Sequence, residues 1–553
     1  MSTHLPAINK KVENSYHNDI ILPRAWRGRG NVSAKKMALS ETGLDNKKVV
    51  QNTIAVVIAF VLNAAINFFI SPYIIRTLGA EALGFAHLAG DFTSYAALIT
   101  LALNSMATRY LMLARERGEH QKVQEYFSTL VISNICIAFF LLFIFLSCVI
   151  YLEHIVEIPE FLIGQVKTAF TITFIMFCLS LAGSTYGSCF FLTNQLHLGS
   201  WRGCVGNLLS RGLLIALFVY LQPSIIYIAL SGAFASIYIL CTNVYYFNKL
   251  LPEIKLRAGY FRAKRLWELI SSGMWNSITK LSQIFSSGLD LLVTNIFINP
   301  VSMGYLAVAK TVPGMMVGLN ASVAGSFVPN LMQHYAAGDT EALRRAAKTS
   351  IKFMALFVTL PNAVLVVYGT EFFRLWVPSQ PAELINTLSI LTLINSCVTG
   401  PMQPLYQIFT ITNKVKQSSL VIIAYGFLSI LITLICLKTT NLGLYAVAGV
   451  SLVGSLIVAL CYHLPFAAIY ARLPWYEFFP EVGKSALSLL YVCVIGWCIK
   501  LILPAADTWI LWFTCVITMC IVGLVCNVYT MLNSAERQAL HGVLARKLHL
   551  SRQ

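Results

Sequence analysis

Between a polar segment over residues 1–51 and a basic tail, the chain is a succession of about fourteen apolar stretches, each near the ~20 residues that a helix needs to cross a bilayer. In lipid every backbone N–H and C=O must be satisfied within the segment or a closed barrel, so stretches of this length are read as helices. The sequence therefore predicts an all-α polytopic membrane protein. Composition points the same way: hydrophobic residues make up 57% of the chain and charged residues only 11%, too few charges to solvate a soluble body of this size. The net charge of +17 could suggest nucleic acid. Its placement at the ends of apolar stretches instead suits attraction to anionic lipid, and no nucleic-acid partner is expected. The fourteen cysteines include no C-x-x-C pair and lie mostly in apolar stretches, so neither a disulfide framework nor a metal site is expected.

The distribution of basic residues sets the expected topology. Of the 40 Lys and Arg, only Arg76, Lys167, Arg374, Lys438 and Lys500 fall in odd-numbered loops or their helix ends, and Arg211, Lys280 and Lys310 fall within spans. The rest lie in the tails and the even-numbered loops, which places both termini in the cytoplasm. Residues 1–51 carry nine Lys/Arg among Asn, Ser and Gly without a secretory signal and read as a disordered cytoplasmic tail. The first span is expected over Asn52 to Ile75 and the seventh over Glu268 to Ile298.

The chain also repeats itself. LGAEALGFAHLA (Leu78 to Ala89) and INPVSMGYLAVA (Ile298 to Ala309) share a Gly-aromatic step, with Gly84 matching Gly304 at an offset of 220. The loops that follow, RERGEHQKV (Arg115 to Val123) and YAAGDTEAL (Tyr335 to Leu343), match Gly118 to Gly338 at the same offset, and Thr193-Asn194 matches Thr412-Asn413 at 219. Six spans separate the copies, so both enter from the same side, as in a parallel repeat about an axis along the membrane normal. The expected organisation is a six-helix lobe over 52–248, a basic cytoplasmic linker over 249–267 lying on the membrane surface, and a second lobe over 268–475. A further helix pair over 476–532 and a tail over 533–553 complete it.

Four segments resemble a known group: SPYIIRTLGAEALGF (Ser71 to Phe85), SMATRYL (Ser105 to Leu111), GLDLLVTNIFINPVSMGYLAVAK (Gly288 to Lys310) and GDTEALRRAAKTSIKF (Gly338 to Phe353). Together, over roughly Asn52 to Leu473, they resemble the multidrug/oligosaccharidyl-lipid/polysaccharide exporter superfamily, and within it the polysaccharide flippases of bacterial inner membranes. The resemblance implies two pseudo-symmetric lobes in a V around a central cavity, rocking between inward-open and outward-open states.

Charges within spans cost at least ~2.5 kcal/mol each, so each requires a partner or a water-filled cavity. Five stand out: Asp91, Arg211, Lys280, Asp290 and Lys310, three cations against two carboxylates. A guanidinium near mid-membrane can bind a phosphate bidentately, so Arg211, Lys280 and Lys310 are read as a cationic wall for an anionic headgroup; the alternative for Arg211 is pairing with a carboxylate such as Asp91. Asp91 and Asp290 are candidates for coupling to a proton or sodium gradient, with permanent ion pairing as the alternative. Asn63, Asn67 and Ser71 recur at i, i+4 and i+8 and share one stripe, and Asn207 precedes Arg211 on its own. With Ser286, from a seventh span rich in Ser and Thr, Asn63, Asn67 and Asn207 form the expected polar lining, unless they bridge helices. Bends are expected at Pro313-Gly314 and at Gly400, Pro401 and Pro404. Arg76 and a Glu371/Arg374 pair are expected to gate the outer mouth, and Arg109, Arg115, Arg344, Arg345 and Lys348 to face solvent or lipid headgroups.

The reading that follows from the resemblance is a flippase for a polyprenyl-diphosphate-linked oligosaccharide, without covalent chemistry or cofactor. Membrane lipids are its surroundings, and a polysaccharide polymerase or glycosyltransferases are expected as partners. A cation-coupled multidrug exporter and a lipid II flippase are the alternatives within the superfamily. From another class, an embedded glycosyltransferase or polymerase would need a larger outer loop with acidic motifs than this chain has.

Overall fold

A computed structural model describes residues 62–538 except 64, 194, 413, 505 and 535; the expected tail over 1–51 and most of that over 533–553 lie outside the described residues. Those residues are helical with no strand, and twelve of the helices are long and apolar enough to cross a membrane. Numbered by the stretch they occupy, the helices are α1 (Ala65–Leu78), α2 (Ala80–Asn104), α3 (His120–Ile150), α4 (Ile163–Gly183), α5 (Leu196–Tyr220) and α6 (Ile225–Leu250). The seventh stretch forms two pieces, α7a (Ala263–Gln283) and α7b (Asp290–Phe297). Then follow α8 (Pro300–Gly325), α9 (Thr340–Trp376), α10 (Ala382–Ile411), α11 (Val415–Thr439), α12 (Leu444–Tyr470), α13 (Phe479–Ile502) and α14 (Trp509–Met531).

Two of the expected fourteen are not among the twelve. The first is described only from residue 62, as the short helix α1. The seventh is too polar and is interrupted: a π-turn at Ile284–Gly288 separates α7a from α7b, and such turns mark places where the regular ladder is given up. By contrast α8 runs through Pro313, and α10 through Pro401 and Pro404. Several hydroxyls of α7a bridge to neighbouring helices. Ser277 Oγ donates to the Leu98 carbonyl, Thr279 bonds Ser419, Ser282 Oγ reaches the Ser419 carbonyl, and Ser272 bonds the Tyr110 hydroxyl.

The sequence repeat is reproduced in backbone detail. Gly118 and Gly338 both take left-handed conformations (φ 68° and 71°), which a residue without Cβ adopts at little cost. The next residues close the same turn, Glu119 N–H onto the Ala114 carbonyl and Asp339 N–H onto that of His334. Thr193 and Thr412 each donate a hydroxyl four residues back, to Cys189 and Ile408; their neighbours Asn194 and Asn413 lie outside the described residues. The lobes meet where α2 crosses α8, glycine against its own equivalent. A Cβ on Gly84 would stand 3.2 Å from Gly304 Cα, and one on Gly304 would stand 2.7–2.8 Å from backbone atoms of Ala80 and Glu81. Asn299 starts α8 by accepting the Ser302 N–H, with Pro300 in the first turn, where its missing N–H costs nothing.

This crossing belongs to the lysine-poor end, where other inter-lobe contacts gather. The Trp376 indole donates to the Phe68 carbonyl over a stacked ring pair, and Asn295 exchanges two hydrogen bonds with the backbone of Glu157. The expected Glu371/Arg374 pair does not form: Glu371 binds Lys500 of α13 and Arg374 binds Glu383. Partners on neighbouring helices capture both ends before an intrahelical contact can.

At the lysine-rich end the linker is held on α3 rather than left to solvent. The N–H groups of Lys255, Arg257 and Arg262 donate to Gln124, Ser128 and Thr129, while Leu251 and Ile254 are buried beside the same helix. Arg344 and Lys348 of α9, expected to face solvent or lipid headgroups, both bind Glu477 (2.6 and 2.5 Å), which is 7% exposed. Burial pushes the Glu477 carboxyl up, but the hydrogen bonds from Lys348 and Arg344 outweigh it and hold the group below its ordinary value. A depressed carboxylate contributes stability above its unfolded pKa that is lost as pH falls through the folded one. The melting temperature of the detergent-solubilised protein is therefore expected to fall as pH is lowered below about 4.3, with a flatter profile for Glu477→Gln. Superimposable profiles for the two proteins would remove Glu477 from the acid response.

Candidate functional site

A cavity of about 570 Å³ lies between the lobes. The first six helices contribute Asn67, Ser71, His87, Asp91 and Arg211; α7b and α8 contribute Leu291, Lys310 and Thr311. One cation from each lobe therefore reaches a common space otherwise walled by Ile70, Ile74, Leu83 and Met315.

Both cations are held by specific neighbours. The two stripes read from the sequence, Asn63 just before α1 with Asn67 on it, and Asn207 with Arg211 on α5, face each other. Asn207 Nδ2 donates to Asn63 Oδ1 (2.6 Å) and Arg211 Nη2 to Asn67 Oδ1 (3.0 Å). Arg211 thus has an amide partner rather than the carboxylate of Asp91, and no ion pair within 4.0 Å among the described residues. Its Nε is buried without a hydrogen-bond partner among the described residues. A buried N–H left unmade costs ~1–3 kcal/mol, and a ligand oxygen would relieve it.

Across the cavity Lys310 binds Asp290 at 2.5 Å. Asp290 opens α7b directly after the π-turn, where a carboxylate meets the positive end of the helix dipole. The break frees the Gly288 carbonyl, and the Tyr95 hydroxyl donates to it at 2.6 Å. Asp91, one turn before Tyr95 on α2, has no ion pair within 4.0 Å among the described residues but lies in the field of Lys310, Asp290 and Lys280. Lys280 does not line the cavity, nor do Asn63 and Asn207, and the Ser286 side chain lies outside the described residues.

His87, which lines the cavity and feels the charge of Arg211, and Tyr95 escaped the sequence reading. Their signal was available: His87, Asp91 and Tyr95 recur at i, i+4 and i+8 and so share one face of α2.

Residues 49–334 match the family model described as polysaccharide biosynthesis protein. The chain belongs to this family. A relative from Bacillus subtilis (strain 168), described as uncharacterized membrane protein EpsK, is 26% identical over 405 residues, 73% of this chain and 79% of that protein. Among solved structures, the fold is shared with a lipid II flippase, MurJ, in an inward closed conformation, at a TM-score of 0.64 and 14% identity over 88% of this chain and all of that one. It is also shared with an inward-facing MATE-family multidrug resistance transporter of the MOP superfamily, at a TM-score of 0.58 and 14% identity over 77% of this chain and 98% of the other. These matches agree with the superfamily resemblance read from the sequence, and they make this polysaccharide-family chain a multi-pass membrane protein with a transporter fold.

Proposed function

We propose that the protein is an alternating-access flippase of the cytoplasmic membrane, moving a polyprenyl-diphosphate-linked oligosaccharide from the cytoplasmic to the outer leaflet, with both termini cytoplasmic. The observation that carries this reading is the cavity that receives Arg211 from one lobe and Lys310 from the other. A diphosphate presents oxygens that a guanidinium can bind bidentately, and the unpartnered Arg211 Nε is a donor awaiting such an oxygen. The cavity lining holds two cations, Arg211 and Lys310, and one carboxylate, Asp91, which suits an anionic headgroup better than a cationic drug. Relocation needs no covalent step; the headgroup exchanges hydration for the cavity walls while the polyprenyl chain stays in lipid. Asp91, without a close cation, is the candidate for coupling to a proton or sodium gradient.

The test is deletion of the gene followed by complementation. Loss of surface polysaccharide with accumulation of lipid-linked oligosaccharide in the inner leaflet is expected, restored by the native gene. Arg211→Gln is expected to restore less than about a tenth of export, the loss of one charge-assisted pair, at normal protein level. Asp91→Asn is expected to export without responding to collapse of the ion gradient. Intact surface polysaccharide with hypersensitivity to cationic drugs would replace this reading with the multidrug exporter. Export by Asp91→Asn that still follows the gradient would remove Asp91 as the coupling group.

A further inference from the structure

A second cation on α5 faces away from the central cavity. Arg202 and Arg211 are nine residues apart, two and a half turns or about 13 Å along the helix, so they project from opposite sides. Arg202 borders a separate cavity of about 480 Å³ inside the first lobe, toward its lysine-rich end, whose polar walls are Asn104, Thr108, Ser184, Thr185, Ser188 and Ser200.

Three observations describe this cavity as a built site. First, its walls are fixed from behind. Asn134, fully buried, donates to Asn104 Oδ1, Ser184 Oγ and Thr185 Oγ1 and accepts from Asn104 Nδ2. Second, α4 gives way here to a 3₁₀ segment, Ser184–Ser188, which brings several hydroxyls to one wall and is a form found where a regular helix has been set aside for another purpose. Third, the cation is oriented but not neutralised. Arg202 stacks over the Phe190 ring at 4.7 Å and donates to Asn243 Oδ1 and the Ile239 carbonyl. Its Nε is buried without a partner, and no carboxylate lies within 4.0 Å of it among the described residues. A desolvated guanidinium beside hydroxyls lacks an anion with several acceptor oxygens.

We infer that this cavity binds the phosphate group of a lipid, held by Arg202 and the surrounding hydroxyls, at a site distinct from the central cavity. The exposed Phe191 and Leu196 at its rim give the attached hydrocarbon a path to the bilayer. Two sources carry this chemistry: a bilayer phospholipid, and a polyprenyl diphosphate on its way to the central cavity.

The test is native mass spectrometry of the purified full-length protein titrated with phosphatidylglycerol, undecaprenyl diphosphate or, as a phosphate-free control, diacylglycerol. Arg202→Gln keeps a donor for Asn243 and Ile239 while removing the charge; Ser200→Leu fills the cavity and leaves Arg202 in place. Arg211→Gln reports on the central cavity. The expected result is a phosphate lipid retained by Arg211→Gln as by the native protein, and retention at this site weakened about tenfold or more in both Arg202→Gln and Ser200→Leu. Retention of phosphatidylglycerol assigns the phospholipid source, and retention of undecaprenyl diphosphate assigns the substrate-like one. Equal retention of diacylglycerol, or binding unaffected by either variant at this site, overturns the inference. Binding lost only in Arg211→Gln also overturns it and leaves the proposed function standing.

Discussion

Lys310→Ala is expected to destabilise the protein by about 2–3 kcal/mol, more than removal of both Lys310 and its partner. Breaking a buried ion pair from one side leaves a desolvated charge, at a cost of ~3–5 kcal/mol, whereas replacing both members with apolar groups is often neutral. The lower figure applies because the Lys310 and Asp290 side chains keep 26% and 14% exposure. In Lys310→Ala, Asp290 would face Asp91 without its ammonium, at the point where α7 is already interrupted by the π-turn. Thermal melting in detergent separates the cases: Lys310→Ala should melt well below the native protein, and Lys310→Met combined with Asp290→Leu should recover most of the loss. If the single and double variants melt together, the pair is not what stabilises the packing of α7b on α8. The double variant is still expected to fail in polysaccharide export, since it folds without the second lobe's cation.

Gly304→Val is expected to abolish export with little loss of protein, by preventing the lobes from closing at the lysine-poor end. Its side chain would be built onto a Cβ already 2.7–2.8 Å from the backbone of Ala80 and Glu81, and backbone cannot step aside as a flexible side chain can. Overpacking of this kind costs ~1–3 kcal/mol, which shifts a two-state equilibrium by roughly fivefold to 150-fold. Spin labels at the exposed positions Glu160 and Ser379, one in each lobe, measure that shift directly. The distribution should move to longer distances in Gly304→Val. An unchanged distribution with normal export would show that α2 and α8 do not need this approach.

The architecture was legible because hydropathy, charge asymmetry and the repeat are each carried by many residues. The offset that matches Gly118 with Gly338 reappears as a left-handed turn at both positions. What escaped were features that depend on which surfaces meet. Asn63 and Asn67 formed a visible stripe, as did Asn207 and Arg211, yet nothing in either segment shows that the stripes face one another. Asp91 seemed a natural partner for Arg211 on charge alone, but an amide on α1 holds the guanidinium instead. The interruption of α7 was hidden because Ile284–Gly288 contains no proline, and the carbonyl it frees is taken up by Tyr95 from a helix nearly two hundred residues earlier in the chain. Glu371 and Arg374 were read as a pair from their spacing, which ignored the competing Lys500 and Glu383.

The meeting of Gly84 with Gly304 has a meaning for how the chain can vary. A residue lying on a two-fold axis meets its own equivalent, so in a dimer of identical subunits any side chain added there is added twice at one point. Here the two halves are joined in a single polypeptide, and the positions are encoded separately. A change at one of them leaves the other bare, an asymmetric combination closed to a dimer of identical subunits.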